Sequence, residues 1–319
     1  MCLLASCNST SLTPVGPART PDNINGKPCS EEITAIQVLG SGGPLPNHPR
    51  ASTGYLVWMG GKSKLLLDVG GGTFVRFGEA GGRVEELDLV LLSHFHADHV
   101  SDLPAFLWAA RVSGRVYRNL TVVGPTGNMD FPDIHTFLQT LLDGDNGAFR
   151  QLSVIPIEVV SADAGGTRIT TVYKDNNIEI LALGVPHANS PTLAFKLILG
   201  ETSVVFGADQ NGRNPDFLQF IQNVDLLVLH FAIDENPGRA MVGEGSALEY
   251  HAPPSLVGQM AAAGDPGTLL LSHLNLRDPR SADLESNLEI VRSEYSGPVI
   301  LAEDLLCIPL GNELLTPQQ

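Results

Sequence analysis

Within six positions the chain carries three histidines and an aspartate, His94-Phe95-His96-Ala97-Asp98-His99. They follow directly on an apolar run, Leu87-Asp88-Leu89-Val90-Leu91-Leu92, that reads as a buried strand. Any fold for this sequence must bury that run and still open its end onto a cleft. On an extended strand end His94 and His96 point to the same side, because side chains alternate with period two. Asp98 and His99 then fall on the turn into a helix expected to begin near Asp102-Leu103-Pro104, so a second pair of ligands faces the same cleft. Two adjacent nitrogen-rich sites suit a pair of divalent ions, zinc first, with Mn2+ or Fe2+ as alternatives. The other reading is a solvated polar loop that happens to contain histidines. Three of the chain's nine histidines within six residues argue against it.

The rest of the chain has to supply the remaining ligands and the walls. With 319 residues and 43% hydrophobic content, it can bury a sizeable core. After Asn8 to Glu32, a stretch rich in Ser, Thr, Pro and Asn, the pattern opens with an alternating strand, Ile33 to Leu39, stopped by Gly40-Ser41-Gly42-Gly43-Pro44. Tyr55 to Met59 and Lys64 to Asp68 read as a hairpin turning at Gly60-Gly61. Gly70-Gly71-Gly72 opens a helix over Thr73 to Ala80. Beyond the ligand turn come a helix through Phe106 to Val112, a strand at Leu120 to Val123 and a helix at Ile134 to Leu142.

From Val154 the pattern changes to short β runs: Val154 to Val160, Arg168 to Tyr173, Ile178 to Val185, Leu193 to Leu199 and Ser203 to Phe206. They are expected as four or five consecutive antiparallel strands. Helices at Phe217 to Gln222, Ser255 to Ala263 and Leu284 to Tyr295 then alternate with strands at Asp225 to Leu229, Thr268 to Leu271 and Val299 to Leu301. Strands followed by strand–helix alternation thus occur twice. Two sheets stacked face to face, with helices on both outer faces, satisfy this order and bury the near-continuous apolar runs. No linker interrupts residues 33 to 312, read as one domain, with a signal remnant or tether at 1–32 and a C-terminal tail at 313–319.

Three later apolar strands each end in a metal-binding side chain. His187 closes Leu181-Ala182-Leu183-Gly184-Val185-Pro186, Asp209 closes Val204-Val205-Phe206-Gly207-Ala208, and His273 closes Leu269-Leu270-Leu271-Ser272. Each alone reads more readily as a hydrogen-bonded core or loop residue. Together with the ligand turn they read as a set. His230 ends the strand Asp225 to Leu229, and His251 lies in Tyr250-His251-Ala252-Pro253 before a helix. His48 and His135 fit no pattern and are taken as surface residues.

The histidine-rich turn, with the Gly-rich first loop and Asp68-Val69-Gly70-Gly71-Gly72 before it, resembles the metallo-β-lactamase superfamily from about Ile33 to Pro309. That resemblance implies an α/β fold, a four-layer αβ/βα sandwich. Arg50-Ala51-Ser52 after the first loop is similar to the ribonuclease Z and arylsulfatase-like phosphodiesterase branch. By resemblance, His94, His96 and His187 hold one Zn2+, Asp98, His99 and His273 hold the other, and Asp209 bridges them. Asp98 thereby also counts as a catalytic carboxylate, and Asp68 hydrogen-bonds the ligand turn without touching metal. His251 and His230 resemble histidines that flank the metal pair in ribonuclease Z, which makes His251 the proton donor and His230 a site residue. Phe231 stands where that family has the glutamate that orients the second histidine, and Asp209 sits in Gly-Ala-Asp-Gln rather than Gly-Asp-Thr.

The implied chemistry is hydrolysis of small esters. A metal-bridging hydroxide attacks, an electrostatic clamp stabilises the developing charge, and His251 protonates the leaving group. Phosphodiesters suit two ions clamping a tetrahedral centre, and Arg277 could pair with an anionic substrate group or form an exposed ion pair. Nucleic acid is not the expected partner, because net charge is −16 and only 21 residues separate His187 from Asp209, too few for the RNA-binding arm of many ribonuclease Z proteins. Lactonase, arylsulfatase and β-lactamase-like activities, a ribonuclease Z-type tRNA endonuclease and a non-catalytic metal-binding lipoprotein are the alternatives. Relatives in the family often form homodimers.

Leu4-Ala5-Ser6-Cys7 resembles the lipobox of bacterial lipoproteins, which implies a lipid anchor at Cys7, a start inside a longer signal and a periplasmic or membrane-anchored location. A short frayed terminus with an incidental cysteine, and a cytoplasmic protein, is the other reading. Outside the cytoplasm, a Cys29–Cys307 disulfide tying the tether to the last strand is one of the pairings that four cysteines allow.

Overall fold

Strands that are apolar on both faces need cover on both faces, and the architecture follows from that requirement. The computed structural model describes residues 28–32, 34–46, 49–114, 118–166, 168–237, 246–274 and 282–311. Cys7 and the stretch before residue 28, His48, Arg277 and the C-terminal tail lie outside the described residues.

The first half supplies β1 (Thr34–Gly40), β2 (Gly54–Met59), β3 (Lys62–Val69), α1 (Thr73–Glu79), β4 (Leu89–Leu91), α2 (Ala97–Val100), α3 (Leu103–Val112), β5 (Leu120–Pro125), α4 (Ile134–Leu142) and β6 (Ile157–Ala162). The second supplies β7 (Thr170–Lys174), β8 (Ile178–His187), β9 (Ser190–Leu199), β10 (Thr202–Phe206), α5 (Pro215–Phe220), β11 (Leu226–His230), α6 (Pro254–Gly264), β12 (Thr268–Ser272), α7 (Ala282–Glu294), β13 (Val299–Leu301) and β14 (Cys307–Pro309). One sheet has the order β14-β1-β2-β3-β4-β5-β6, the other β13-β12-β11-β10-β9-β8-β7. These are two mixed sheets flanked by helices, the sandwich expected from the sequence.

Alternation along β3 shows how each strand serves two layers. Leu65 and Leu67 enter the core between the sheets with Phe195, Phe206, Val228 and Leu270 of the second sheet. Leu66 faces outward and packs with Phe77, Phe106, Ile134 and Leu138 of α1, α3 and α4. The second sheet repeats the arrangement, Leu227, Leu269 and Leu271 packing under Phe217, Val257, Met260 and Val291 of α5, α6 and α7. At roughly 1.5–3 kcal/mol for each fully buried large side chain, these three apolar layers dominate the folding energy.

Three sequence expectations are corrected. The run at Val154 to Val160 does not start an antiparallel meander. As β6 it pairs in parallel with β5 at the edge of the first sheet, and only β7 to β10 form the antiparallel series. The reason is the α4 crossover between β5 and β6, which returns the chain in parallel. The apolar run before the ligand turn yields only three paired residues, since Leu92 is already in the loop after β4. Asp98 and His99 sit on their own short helix, α2, one turn before α3 begins.

Cys29 and Cys307 form a disulfide across 278 positions, fastening the segment before β1 to β14. A second fastening is polar. The Asp304 carboxylate accepts from the Ser41 and Ala51 amides and from Arg76 Nε, while Arg50 donates to the Ser41 hydroxyl and the Ala302 carbonyl. Together they pin the loop between β1 and β2 to the chain end.

Candidate metal centre

The site forms because six strands release the chain at one edge of the sandwich. β3 delivers Asp68, the loop after β4 delivers His94 and His96, and α2 delivers Asp98 and His99. β8 ends on His187, β10 is followed by Asp209, β11 ends on His230 and β12 is followed by His273. The Leu193 amide donates to the Ser93 carbonyl at 3.0 Å, tying the two sheets together at this edge.

The backbone is strained at several of these positions. Asp68, Ala208, Ala188 and His273 all have φ between +47° and +56°, the left-handed region that side chains other than glycine rarely adopt. Each such residue costs on the order of 1–3 kcal/mol, which the surrounding core must hold in place. Asp68 is the extra residue of a β-bulge, since the pairing of β2 with β3 runs from Gly54↔Val69 to Tyr55↔Leu67. The bulge turns its carboxylate under the ligand loop. Gly70 has to be glycine for a separate reason: a Cβ there would lie 2.0 Å from the Asp98 carbonyl oxygen.

Donor atoms converge in overlapping groups, two of them built on the ligand turn. His94 Nε2 lies 3.0 Å from His96 Nδ1, which lies 3.3 Å from His187 Nε2. Asp209 Oδ2 is 3.7 Å from His94 Nε2 and 3.4 Å from His187 Nε2. On the other side, His99 Nε2 and His273 Nε2 lie 3.7 and 3.2 Å from Asp98 Oδ2. Both groups hold enough mutually close ligand atoms to bind a metal ion, and Asp209, a member of the first, lies within 3.6 Å of His99 and 3.4 Å of His273 in the second. Neutral imidazole and carboxylate are the donors that zinc and similar divalent metals take.

The outer ring nitrogens show that these histidines are aimed. Asp68 accepts from the Ser93 amide, the Ser93 hydroxyl and His99 Nδ1, each at 2.8 Å. With its Nδ1 proton on Asp68, His99 presents a lone pair at Nε2, and that buried nitrogen has no hydrogen-bond partner among the described residues. An orphaned buried acceptor at the centre of a donor cluster fits a metal ligand. His187 is fixed likewise, its Nδ1 donating to the Tyr250 carbonyl at 2.7 Å.

Electrostatics follow from this crowding. Burial pushes His94 well below the usual histidine range and His187 down to about 4. His99 goes the other way: burial alone would lower it, but Asp209, Asp68 and Asp98 carry it well above that range. Asp209, despite burial that would raise it, is held well below the carboxylate range by His273, His251, His99 and His187.

His230 takes a place that the sequence did not specify. Its Nδ1 lies 2.5 Å from Asp209 Oδ1, behind the carboxylate, and its Nε2 lies 3.5 Å from the hydroxyl of the buried Tyr55. It thereby supports Asp209 and makes a third group of close donor atoms with Asp209 and His273, whose Nε2 faces the same Oδ1, while Oδ2 faces His94, His99 and His187. His251 sits at the open side with Nε2 3.9 Å from Asp209 Oδ2, and burial pushes it down to about 3. Its Nδ1 is buried without a partner among the described residues, and the Phe231 side chain at the expected place of an orienting carboxylate is apolar. His135 is exposed on α4, away from the donor groups. Sequence reading missed Tyr55, hidden in an apolar strand, and the supporting role of Ser93.

A model of the Metallo-beta-lactamase superfamily matches residues 48–215. The ribonuclease Z of Clostridium kluyveri is 32% identical over 139 residues, covering 41% of this chain and 45% of that protein. The chain thus spans about half the length of the curated relatives it matches. Among solved structures, the metallo-beta-lactamase fold protein YhfI from Bacillus subtilis has a TM-score of 0.65 at 22% identity, covering 87% of this chain and 99% of that one. A diphosphatase from the PhnP family has a TM-score of 0.60 at 15% identity, covering 87% and 98%. At such identities the structures share the fold.

Proposed function

This chain belongs to the metallo-β-lactamase superfamily, and we propose on that footing that it is a metal-dependent hydrolase of small phosphodiesters, holding two zinc ions. The observation that carries the reading is the closeness of the His94–His96–His187 and Asp98–His99–His273 donor groups to one shared carboxylate, Asp209, which gives donors enough for two cations. His94, His96 and His187 would hold one ion, Asp98, His99 and His273 the other, with Asp209 shared. Zinc bound there supplies Lewis acidity, which brings the pKa of a water toward neutrality and polarises a phosphoryl oxygen.

The chain's own residues do the rest. Asp68 and the Tyr250 carbonyl hold His99 and His187 in the tautomer that leaves Nε2 free, and His230 holds Asp209. His251, beside Asp209 and outside the donor groups, is the side chain placed to hydrogen-bond a leaving oxygen through its neutral imidazole. Similarity to a ribonuclease Z and to a PhnP-family diphosphatase supports phosphate-ester chemistry in general.

Small diesters are favoured over precursor tRNA by the hairpin between His187 and Asp209. β8 ends at His187, β9 starts at Ser190, and β10 runs straight to the Asp209 loop, so no RNA-binding arm is inserted there. The net charge of −16 opposes long polyanions as well. The disulfide fits an oxidising compartment, in keeping with a periplasmic or membrane-anchored protein. The test is a panel of phosphodiesters, sulfate esters, lactones, β-lactams and precursor tRNA, run on one zinc-loaded sample of measured metal content. Fastest turnover of aryl phosphodiesters is expected. Efficient tRNA trimming by a sample inert toward small diesters would overturn the reading.

A further inference from the structure

Asp304 lies in the turn between β13 and β14, outside both donor groups, and its carboxylate takes hydrogens from two separate parts of the β1–β2 loop. Oδ1 accepts from the Ser41 amide at 3.1 Å and the Ser41 hydroxyl at 2.8 Å. Oδ2 accepts from the Ala51 amide at 2.8 Å and from Arg76 Nε at 3.0 Å. Arg50 Nη1 closes the cluster, donating to the Ser41 hydroxyl at 2.6 Å and to the Ala302 carbonyl at 2.8 Å. Ser41 is fully buried and the Asp304 side chain is only 10% exposed. The Cys29–Cys307 disulfide already ties β14 down, and the two loop segments that Asp304 grips lead elsewhere.

Both lead to the second donor group. The Ser41 carbonyl accepts from the Leu274 amide at 2.8 Å, and Gly42 bridges Leu274 in parallel register. Leu274 follows His273, whose φ of +56° persists only where the chain is fixed on both sides. β12 fixes one side and Ser41 the other. The Ala302 amide donates to the Leu271 carbonyl at 2.8 Å, so the same cluster grips β12 as well. From Ala51 the path runs to Asp98. The Ser52 amide donates to the Gly71 carbonyl and the Gly70 amide to the Thr53 carbonyl, both at 2.9 Å. Ser52 Cβ and the Asp98 carbonyl oxygen then close on Gly70 from either side, at 2.8 and 2.0 Å from where a Cβ would stand. Packing this tight transmits a shift of the loop to α2. The first donor group is held by other means, Ser93 by Asp68 and the Leu193 amide, and His187 by the Tyr250 carbonyl.

We propose that Asp304 is a positioning residue for the second metal ion, acting through Ser41 on His273 and through Ala51 and Ser52 on Asp98. The role rests on the two-cation reading above and extends the metal centre to the far end of the chain. Asp304→Asn keeps the shape of the side chain but turns one oxygen into NH2. That group faces either the Ser41 amide or the Ala51 amide, donor against donor, and one end of the loop comes loose.

Chelator competition on the full chain gives the two zinc affinities, and histidine ring NMR signals tell which group each ion fills. Asp304→Asn should weaken the ion that shifts His99 and His273 roughly 5- to 20-fold and leave the ion that shifts His94, His96 and His187 within about 2-fold, an effect at the lower end of that for a group touching a ligand directly. Ser41→Ala removes the hydroxyl shared by Arg50 and Asp304 but keeps the backbone bonds, so it should weaken the same ion roughly 2- to 5-fold. It decides the matter should Asp304→Asn fail to fold. Cys307→Ser is the control for loosening the chain end alone: its denaturation midpoint should fall while the ratio of the two affinities stays at the wild-type value. An unchanged ratio in both Asp304→Asn and Ser41→Ala, equal losses at both ions, or as large a change of ratio in Cys307→Ser would overturn the assignment. A wild type that takes one zinc ion only would sink the two-cation reading. The role of Asp304 would then stand if that ion shifts His99 and His273 and is weakened by Asp304→Asn, and fall otherwise.

Discussion

Replacing Asp68 by asparagine changes one atom of a side chain that lies behind a donor group rather than in it, and it should weaken metal binding. Asp68 is fully buried, and its two oxygens take three hydrogens: the Ser93 amide on Oδ1, and the Ser93 hydroxyl and His99 Nδ1 on Oδ2, all at 2.8 Å. In Asp68→Asn one of those oxygens becomes an NH2 group. If the nitrogen replaces Oδ1, it confronts the buried Ser93 amide, donor against donor, at a cost of about 1–3 kcal/mol. If it replaces Oδ2, it confronts the His99 Nδ1 proton. His99 relieves that contact by moving its proton to Nε2, the nitrogen that faces Asp98 and Asp209. The lone pair available to a metal is then gone. Loss of such a supporting partner typically costs 10- to 100-fold in metal affinity, or about 1.4–2.7 kcal/mol. Competition against a chromophoric chelator reads zinc affinity directly. The variant should bind its second zinc 10- to 100-fold more weakly, with the metal-free protein also melting at lower temperature. Two zinc ions held with wild-type affinity would refute the reasoning.

His230→Leu should likewise weaken the second zinc, because the hydrogen bond to Asp209 Oδ1 is lost, whereas His230→Asn, which keeps a donor near the Nδ1 position, should restore much of it. Chelator competition on both variants decides, and equal affinities in the two would remove His230 from its assigned role. Zinc binding should release protons. Burial would lower His99 and His273, but Asp209 with Asp68 and Asp98 raises His99, and Asp209 with Asp98 raises His273, so both hold a proton more firmly than a free histidine does. Those raised values stabilise the metal-free fold below about pH 6.5, and that contribution is lost as pH rises through the folded values, the same range in which zinc affinity should climb. Calorimetry at pH 7 in two buffers of different ionisation enthalpy should show about one or more protons released per protein, and none would contradict the assignment. Cys307→Ser should cost about 2–5 kcal/mol of stability in chemical denaturation while zinc stoichiometry stays at two. An unchanged denaturation midpoint would count against a stabilising role for the disulfide.

The parts of this molecule that could be read in the sequence are those set by periodicity and by rare residue types. Apolar runs such as Leu65-Leu66-Leu67 announce strands covered on both faces, and three histidines in six positions announce the cluster of close donor atoms that the fold assembles. His187, Asp209 and His273 were visible because each ends an apolar run. Pairing direction was less visible, since β6 has the same short apolar look as β7 to β10 and only the crossover through α4 distinguishes its partner. Contacts between residues far apart in the chain were not visible. Nothing in the sequence places Tyr55 behind His230, Asp304 beneath Ser41, or Phe131 beside His96, because those meetings are made by the stacking of the sheets and the closure of loops. The bulge that turns Asp68 inward is also a product of register, set by the pairing of β2 with β3.

The central claim is that two donor groups sharing Asp209 hold two cations that work together in hydrolysis. Titrating the metal-free protein with zinc while following hydrolysis of bis(p-nitrophenyl) phosphate tests it most directly. The account predicts little activity up to one equivalent and a maximum at two. A maximum at one equivalent, or no activity at any zinc level, would contradict it.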